Sequence, residues 1–112
     1  MNRGEVWLID LEPTRGAEIK KTRPAIIVND NKIGILPLKI IIPVTDWENH
    51  YSNVAWMIRL EADFQNGLTK LSAADAFQIR SLSTERFIRK LGSLDNAALN
   101  DITQRLAIVL GI

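Results

Sequence analysis

Four basic side chains, Arg15, Lys20, Lys21 and Arg23, stand close together near the amino terminus, with Glu18 as the one acidic residue among them. Strand-like segments flank them on both sides, so these charges are predicted to lie on a loop that rigid elements hold. Guanidinium and ammonium groups attract phosphate, and this salt-dependent attraction underlies most nucleic-acid binding. The cluster therefore indicates a phosphate-binding surface on a chain whose net charge is only +1.

Arg23 is the member of this group best suited to catalysis. Its planar guanidinium offers a fork of donors that matches phosphate oxygens. Arg23 stands at the start of a predicted strand, and the following Pro24 would hold the fork in place. RNA carries its own nucleophile, the ribose 2′-hydroxyl, so its cleavage depends largely on in-line positioning and on stabilisation of the charged phosphorane. The residues leave open the alternative of a surface arginine paired with Glu18 or Asp46.

The scarcity of histidine and the absence of cysteine exclude several catalytic mechanisms and metal sites. His50 is the only histidine and there is no cysteine. Catalysis by two histidines, a thiol nucleophile and a thiolate zinc site are therefore excluded. Asp30, Asp46 and Glu48 are the nearest grouping of carboxylates, and they are more typical of turns than of a cation site with converging oxygens. We expect neither a metal nor another cofactor.

Six segments have the composition or alternation of β-strands. They are Glu5–Asp10, Arg23–Val28, Leu38–Val44, Val54–Leu60, Leu71–Arg80 and Phe87–Leu91. The apolar period then becomes helical, with a stripe formed by Leu99, Ile102, Leu106, Val109 and Leu110. Asp95 is predicted to cap this helix and Gly111 to end it. The pattern favours a mainly antiparallel α+β fold.

The three tryptophans raise the question of stacking platforms for bases. Trp7 and Trp56 lie in strand patterns, so we expect them in the core. Trp47 lies in the polar segment after the third strand and is the better candidate for contact with an RNA base or a partner.

Length and composition are those of a small globular protein. The 112 residues, 46% hydrophobic and 24% charged, predict one domain over residues 1–112. The start of the chain lacks the apolar segment of a signal peptide, and no apolar run approaches the length of a membrane span. We therefore expect a cytoplasmic protein.

Several short motifs resemble those of one family. They are Arg3–Trp7, Pro13–Glu18, Arg23–Ile27, Gln78–Leu82, Arg86–Phe87 and Gly92–Leu94. In this order and at this spacing they resemble the MazF/PemK endoribonucleases, the toxin halves of bacterial toxin–antitoxin pairs. The resemblance implies a small SH3-like antiparallel β-barrel with a C-terminal helix, the plasmid-toxin fold shared with CcdB. It also implies a homodimer and a cognate antitoxin whose flexible segment covers the same groove.

The resemblance further implies metal-independent cleavage of single-stranded mRNA at a short sequence, leaving a 2′,3′-cyclic phosphate and a 5′-hydroxyl. By motif alignment Arg23 would stabilise the phosphorane and could also protonate the leaving oxygen, and Thr45 would position the phosphate or the nucleophile. The RNA-binding set would comprise Arg15, Lys20 and Lys21 along the backbone, Gln78 at a base edge, Arg80 at a phosphate, and Trp47. Thr45 could instead bond the local backbone, and Arg80 could pair with a carboxylate inside the fold.

Three residues depart from the family pattern. Ala17 and Ile19 replace polar groups of the loop, and Asp46 places a carboxylate directly after Thr45. These changes keep two other functions open. One is a CcdB-like toxin that poisons a topoisomerase without nuclease chemistry, and the other is an inactive SH3-like relative that binds RNA or protein.

Overall fold

Seven antiparallel strands and one C-terminal α-helix make up the fold. The computed structural model describes residues 1–112. The elements are β1 (Glu5–Asp10), β2 (Thr22–Ile27), β3 (Leu38–Asp46), β4 (Met57–Leu60), β5 (Ser72–Asp75), β6 (Arg80–Ser83), β7 (Phe87–Ser93) and α1 (Asn96–Leu110). Short 3₁₀ helices cover Asn49–Asn53, Ala76–Gln78 and Thr84–Arg86. The predicted mainly antiparallel fold with a C-terminal helix is confirmed.

The long strand β3 is the centre of the sheet. One of its edges pairs with β2, and its other edge pairs first with β6 and then with β5. The remaining order is β4 beside β5 at one end and β1 followed by β7 at the other. A single 3₁₀ turn connects β6 to β7, but no backbone ladder joins them. The sheet is therefore barrel-like without being hydrogen-bonded into a closed cylinder.

Side-chain alternation along the strands fills two separate cores, one on each face of the sheet. The larger core contains Ile26 and Ile42 and is covered by α1 through Ile102. The smaller core contains Ile27 and is covered by Trp7, Ile19 and Phe87, with the rings of Trp7 and Phe87 packed edge to face at 5.7 Å. Because Ile19 belongs to the segment between β1 and β2, that segment is anchored on the smaller core.

Local signals set both ends of α1. The Asp95 carboxylate accepts a hydrogen bond from the Ala98 amide at 2.8 Å, as a helix cap does. Gly111 has a left-handed φ of 72°, and its amide bonds back to the last turn of the helix. Both predicted boundaries are confirmed. No helix of the structure combines the length and the apolar character needed to cross a bilayer.

Two predicted strands differ from the observed ones. The segment predicted as Leu71–Arg80 is interrupted by the 3₁₀ helix Ala76–Gln78, because the Asp75 carboxylate accepts the Phe77 amide at 3.0 Å and bends the chain. The strand predicted to begin at Val54 begins only at Met57. Trp56 therefore lies in a turn and is 39% exposed, so its expected place in the core was wrong.

Candidate functional site

An open groove of about 460 Å³ lies between the segment 11–21, here called the cationic loop, and the 3₁₀ helix Ala76–Gln78. We call it the loop groove. Its lining residues are Leu11, Ala17, Glu18, Ile19, Pro43, Phe77, Gln78, Ile79 and Arg80. The groove thus lies between two segments that the sequence analysis singled out, which are 61 residues apart where Ala17 contacts Gln78.

Arg23 and Thr45 lie at the same end of neighbouring strands. The β2–β3 pairing ends at Ala25 and Pro43, and Arg23 and Thr45 stand two residues beyond these on their respective strands. Residues two apart on a strand share a face, so all four point to the same side of the sheet. Pro43 lines the loop groove. Alternation therefore directs both predicted catalytic side chains toward the groove side.

The guanidinium of Arg23 is almost free of protein partners. Its Nε donates to the Lys20 carbonyl at a long 3.4 Å, and it forms no ion pair. Neither carboxylate considered as a partner pairs with Arg23: Glu18 Oε1 accepts the Arg15 amide at 2.6 Å, and Asp46 pairs with Lys70 at 2.8 Å. The two terminal nitrogens of Arg23 are therefore available to a ligand.

The hydroxyl of half-buried Thr45 makes no hydrogen bond within the protein. The backbone bond considered as its alternative role is not formed. Arg80 is likewise half-buried at the groove wall without a carboxylate partner. Three polar side chains predicted to contact phosphate, Arg23, Thr45 and Arg80, thus keep donors uncommitted on the groove side.

Gln78, by contrast, is fully engaged. Its Oε1 accepts the Ile19 amide at 2.6 Å, and its Nε2 donates to Asp75 Oδ2 at 3.2 Å and to the Ala17 carbonyl at 3.4 Å. In this structure Gln78 fastens the cationic loop to the opposite wall of the groove. A contact between Gln78 and a base, as predicted, requires that it exchange at least one of these bonds.

Asp75 holds Gln78 in position by accepting a hydrogen bond from its side chain. The sequence analysis assigned Asp75 no role. Its side chain is only 4% exposed and accepts both the Phe77 amide and the Gln78 amide group. Burial raises the pKa of Asp75 above its ordinary value, although those hydrogen bonds act in the opposite direction. The position of the wall that faces the cationic loop therefore depends on this carboxylate.

The side chains of Arg15, Lys20 and Lys21 are exposed and form no ion pairs. The base of their loop is fixed by Arg86, which donates to the carbonyls of Glu12 and, at 3.4 Å, of Asp10. The cationic loop therefore has a fixed backbone and uncompensated charges. The sequence analysis named Arg86 only as part of a family motif and could not predict this role, because the residues that Arg86 joins are more than 70 positions apart.

Trp47 is half-buried in an aromatic cluster rather than free. Its ring packs edge to face on Tyr51 at 5.8 Å, and the Arg59 guanidinium lies 5.8 Å from its centroid. Burial raises the pKa of Tyr51, and the nearby Glu48 carboxylate adds to this shift. Trp47 is thus held beside the end of β3, two residues from Thr45.

A comparison of sequences decides the family. The sequence model of the PemK-like, MazF-like toxins of type II toxin–antitoxin systems matches residues 2–110. The chain belongs to this family. Endoribonuclease MazF9 of Mycobacterium tuberculosis is 33% identical over 122 aligned residues, an alignment that covers 100% of this chain and 98% of the relative.

Solved structures show the same fold for this PemK-like, MazF-like toxin. MazF from Deinococcus radiodurans superposes with a TM-score of 0.83 at 22% identity, covering 100% of this chain and 97% of that one. A mycobacterial endoribonuclease in complex with its cognate antitoxin superposes with a TM-score of 0.78 at 21% identity, covering 100% and 96%. The predicted MazF-like fold is therefore confirmed.

The residues that depart from the family pattern have structural explanations in this toxin. Ile19 packs on the smaller core, where a polar side chain would be desolvated without a partner. Ala17 offers its carbonyl to Gln78 and lines the loop groove. The Asp46 carboxylate is compensated by Lys70. Arg23, Thr45 and Arg80 keep their uncommitted donors despite these three departures.

Proposed function

We propose that this chain is the toxin of a type II toxin–antitoxin system and acts, as one domain over residues 1–112, in the cytoplasm as a metal-independent endoribonuclease on single-stranded mRNA. The observation that carries the proposal is the pair of uncommitted polar groups, Arg23 and Thr45, at one end of two adjacent strands. Family membership supports it, as does MazF9, a relative named as an endoribonuclease.

The chemistry would begin with the ribose 2′-hydroxyl of the substrate. Its oxygen attacks the adjacent phosphorus in line while its proton passes to a base of the protein or to water. The 5′-oxygen of the next nucleotide leaves with its bonding electrons and takes up a proton from water. The products are a 2′,3′-cyclic phosphate and a 5′-hydroxyl. The free terminal nitrogens of Arg23 would stabilise the extra negative charge of the phosphorane, and Thr45 would hold a phosphate oxygen or the attacking hydroxyl.

The remaining predicted residues would bind RNA without taking part in bond cleavage. Arg15, Lys20 and Lys21 carry exposed, uncompensated charges that attract the phosphodiester backbone. Arg80 would hold a second phosphate from the groove wall. Trp47 and Gln78 would contact bases, and Gln78 would do so by exchanging a bond to the cationic loop for one to the base.

Glu18 is the one carboxylate in the wall of the loop groove, and its Oε1 accepts the Arg15 amide. The sequence analysis treated Glu18 only as a counter-charge to the basic residues. In the structure Glu18 is a candidate acceptor for the proton of the 2′-hydroxyl. The pH dependence of cleavage by Glu18→Gln, compared with the unchanged protein, would test this role.

The proposal includes a cognate antitoxin and a homodimer. The solved complex of a mycobacterial endoribonuclease with its antitoxin supports the first. An acidic, flexible antitoxin segment would be attracted to the cationic loop and would compete with RNA. Ile33, Ile35 and Leu36 form an exposed apolar surface that could be buried in the interface of the homodimer. Light scattering of the purified protein would give its oligomeric state.

The test is cleavage of a long single-stranded RNA in the presence of EDTA, followed by mapping of the cut ends. We expect cuts at one short motif with cyclic-phosphate ends, and cleavage slowed by about 10²–10³-fold in Arg23→Ala. Arg89→Ala is the matched control, since Arg89 lines a separate cavity with Leu8 and Pro24 on the other face of the sheet. Intact RNA with a folded wild-type protein would contradict the nuclease, and the topoisomerase poison and the inactive binding module would then stand in its place.

A further inference from the structure

Two aromatic rings that the proposed cleavage does not use stand exposed beside the loop groove. The ring of Phe77 is 64% exposed and that of Trp56 is 39% exposed. They contact each other with centroids 5.4 Å apart and planes tilted by 54°. Large exposed aromatic side chains in contact with each other mark a binding surface more often than isolated exposed ones do.

The backbone fixes this pair in place. The Phe77 amide donates to the buried carboxylate of Asp75 at 3.0 Å, and the Ala76 amide donates to the Trp56 carbonyl at 2.9 Å. The turn that carries Trp56 and the 3₁₀ helix that carries Phe77 are thus bonded to each other. A ligand that stacks on these rings would therefore pay little to order them.

The pair is continuous with the loop groove and lies next to a free cation. Phe77 itself lines the groove, three residues before the unpaired Arg80. Beyond Trp56, the Arg105 guanidinium is already satisfied, since it donates to the Ala55 carbonyl at 2.8 Å and lies 3.5 Å from the Asp101 carboxylate. An exposed ring beside a free cation matches a single-stranded nucleic acid, which alternates base faces with phosphates. A purely apolar protein segment would leave Arg80 without a partner.

We propose that Phe77, supported by Trp56, is a stacking platform for one unpaired base of the RNA strand bound in the loop groove. This inference rests on the proposed function and extends it by a base-binding subsite outside the reacting phosphodiester. Stacking accepts any base, so the subsite adds affinity with little sequence preference. Its loss raises the substrate concentration needed for cleavage and leaves the rate at saturation unchanged.

A binding experiment with uncleavable RNA tests the platform separately from the nuclease. The probe is a short single-stranded RNA with 2′-O-methyl groups throughout, which removes the attacking hydroxyl. It is made once with all bases and then as a series with one abasic position each. Its sequence is that of the mapped cut site, or a mixed sequence if the wild-type protein does not cut.

The variants separate stacking from general apolar contact. Phe77→Ala is expected to weaken binding of the full probe on the order of tenfold. Phe77→Tyr keeps a ring and should bind like the wild type, whereas Phe77→Leu keeps only apolar surface and should bind like the alanine variant. Phe64→Ala is the control, because Phe64 is a fully exposed phenylalanine away from the loop groove. Thermal melting would show that the variants are folded.

The abasic series locates the base. One abasic position should weaken binding to the wild type by the same factor as Phe77→Ala does, and should have no further effect on that variant, since the two changes remove one interaction. Equal binding of the full probe by the wild type and by Phe77→Ala overturns the platform, as does failure of the wild type to bind any probe. Unchanged RNA binding with weakened antitoxin binding also overturns it and assigns the rings to the protein partner.

The outcomes for the two proposals are distinguishable. If the wild type does not cleave RNA in EDTA but its probe binding depends on Phe77, the nuclease fails and the platform stands. If the wild type cleaves RNA and Phe77→Ala cleaves it with an unchanged KM, the nuclease stands and the platform fails.

Discussion

The fold treats two sets of polar groups in opposite ways. One set lies on the groove side, and the other lies at the corner where β1 pairs with β7 and Arg3 contacts α1. On the groove side, Arg23 and Thr45 have almost no protein partners, and Phe77 is exposed. At the corner, Glu5 is 8% exposed, and Arg3 donates to the Val28 carbonyl and, at 2.8 Å, to the Thr103 hydroxyl.

Glu5 shows how completely the corner is satisfied. Its carboxylate accepts the Trp7 indole at 2.8 Å and lies 3.4 Å from the Lys90 ammonium and 3.8 Å from the amino terminus of Met1. Burial by itself would raise the pKa of Glu5. The hydrogen bonds from Trp7 and from the Asn2 backbone, together with the two positive charges, outweigh burial and lower it.

The difference teaches where this fold stores stability and where it keeps binding capacity. Buried polar groups that are paired stabilise the folded state, whereas uncommitted donors at a groove contribute little to stability until a ligand arrives. Substitutions at the corner should therefore change the free energy of unfolding and spare cleavage. Substitutions of the uncommitted groove-side residues, such as Arg23 and Thr45, should do the reverse.

Arg23→Ala should give the largest effect on the groove side. Loss of one preorganised donor to a transition-state oxyanion costs about 10²–10³ in rate, and the free energy of unfolding should be nearly unchanged because Arg23 makes one weak bond. Single-turnover cleavage and urea unfolding, run on the same preparations, would measure both. A variant that cleaves normally, or one that is strongly destabilised, would break the comparison.

Glu5→Ala should give the matching effect at the corner. It leaves the Trp7 indole and Lys90 without their acceptor, so it should destabilise the protein by about 1–3 kcal/mol while cleavage by the folded fraction stays normal. Glu61→Ala is the control, because the Glu61 side chain is 80% exposed and its pair with Arg59 is a surface ion pair. Equal unfolding free energies for the two variants would refute the assigned role of Glu5.

The double substitution Lys20→Gln with Lys21→Gln tests whether these two lysines on the groove side contact RNA phosphates. Removal of two phosphate contacts should reduce the salt dependence of RNA affinity by about 0.7 in logarithmic slope for each lysine. Glutamine keeps a flexible polar side chain, one bond shorter than that of lysine, and removes the charge. The left-handed backbone at Lys21, with φ of 73°, is no more strained by it. A binding titration over a range of salt concentrations measures the slope, and an unchanged slope would remove both lysines from the RNA path.

The smallest effect should be on the pH dependence of the free energy of unfolding. The buried carboxylates Glu5 and Asp75 should change it in opposite directions. The pKa of Glu5 is lowered from 4.5, so its stabilisation is complete above that pH and is lost as pH falls toward the folded-state pKa. The pKa of Asp75 is raised from 3.8, so in the window above that pH the folded state binds more protons and stability falls as pH rises.

Urea unfolding of the wild type, Glu5→Gln and Asp75→Asn across acidic pH would show both signs. The wild-type advantage over Glu5→Gln should shrink as the solution becomes more acidic. The wild type should gain relative to Asp75→Asn over the same change. Parallel pH profiles for all three proteins would contradict the two assignments.

Features coded by neighbouring residues could be predicted from the sequence. Alternation gave β1 its observed bounds, and Asp95 and Gly111 gave the ends of α1. The interruption of the strand at Ala76–Gln78 was not predictable in this way, because it depends on the buried carboxylate of Asp75. The exposure of Trp56 follows from a turn whose position strand propensity does not specify.

In the candidate site, too, the identities of residues could be predicted from sequence motifs, whereas their long-range contacts could not. Motif resemblance singled out Arg23, Thr45 and Gln78, but sequence could not show which of them keep free donors. Gln78 is bonded to Ile19, 59 positions away, and only the tertiary structure reveals that commitment. The exposed face of Phe77 and the supporting role of Asp75 have the same origin in long-range contacts.

Amide chemical-shift mapping with the uncleavable single-stranded RNA tests the central claim most directly, since it reports where RNA binds whatever the rate of cleavage. The account predicts that the largest shifts fall on the cationic loop, on Thr45–Trp47 and on Asp75–Arg80, with little change around Glu5. Shifts concentrated at the corner of β1, β7 and α1, with the loop groove unaffected, would contradict it.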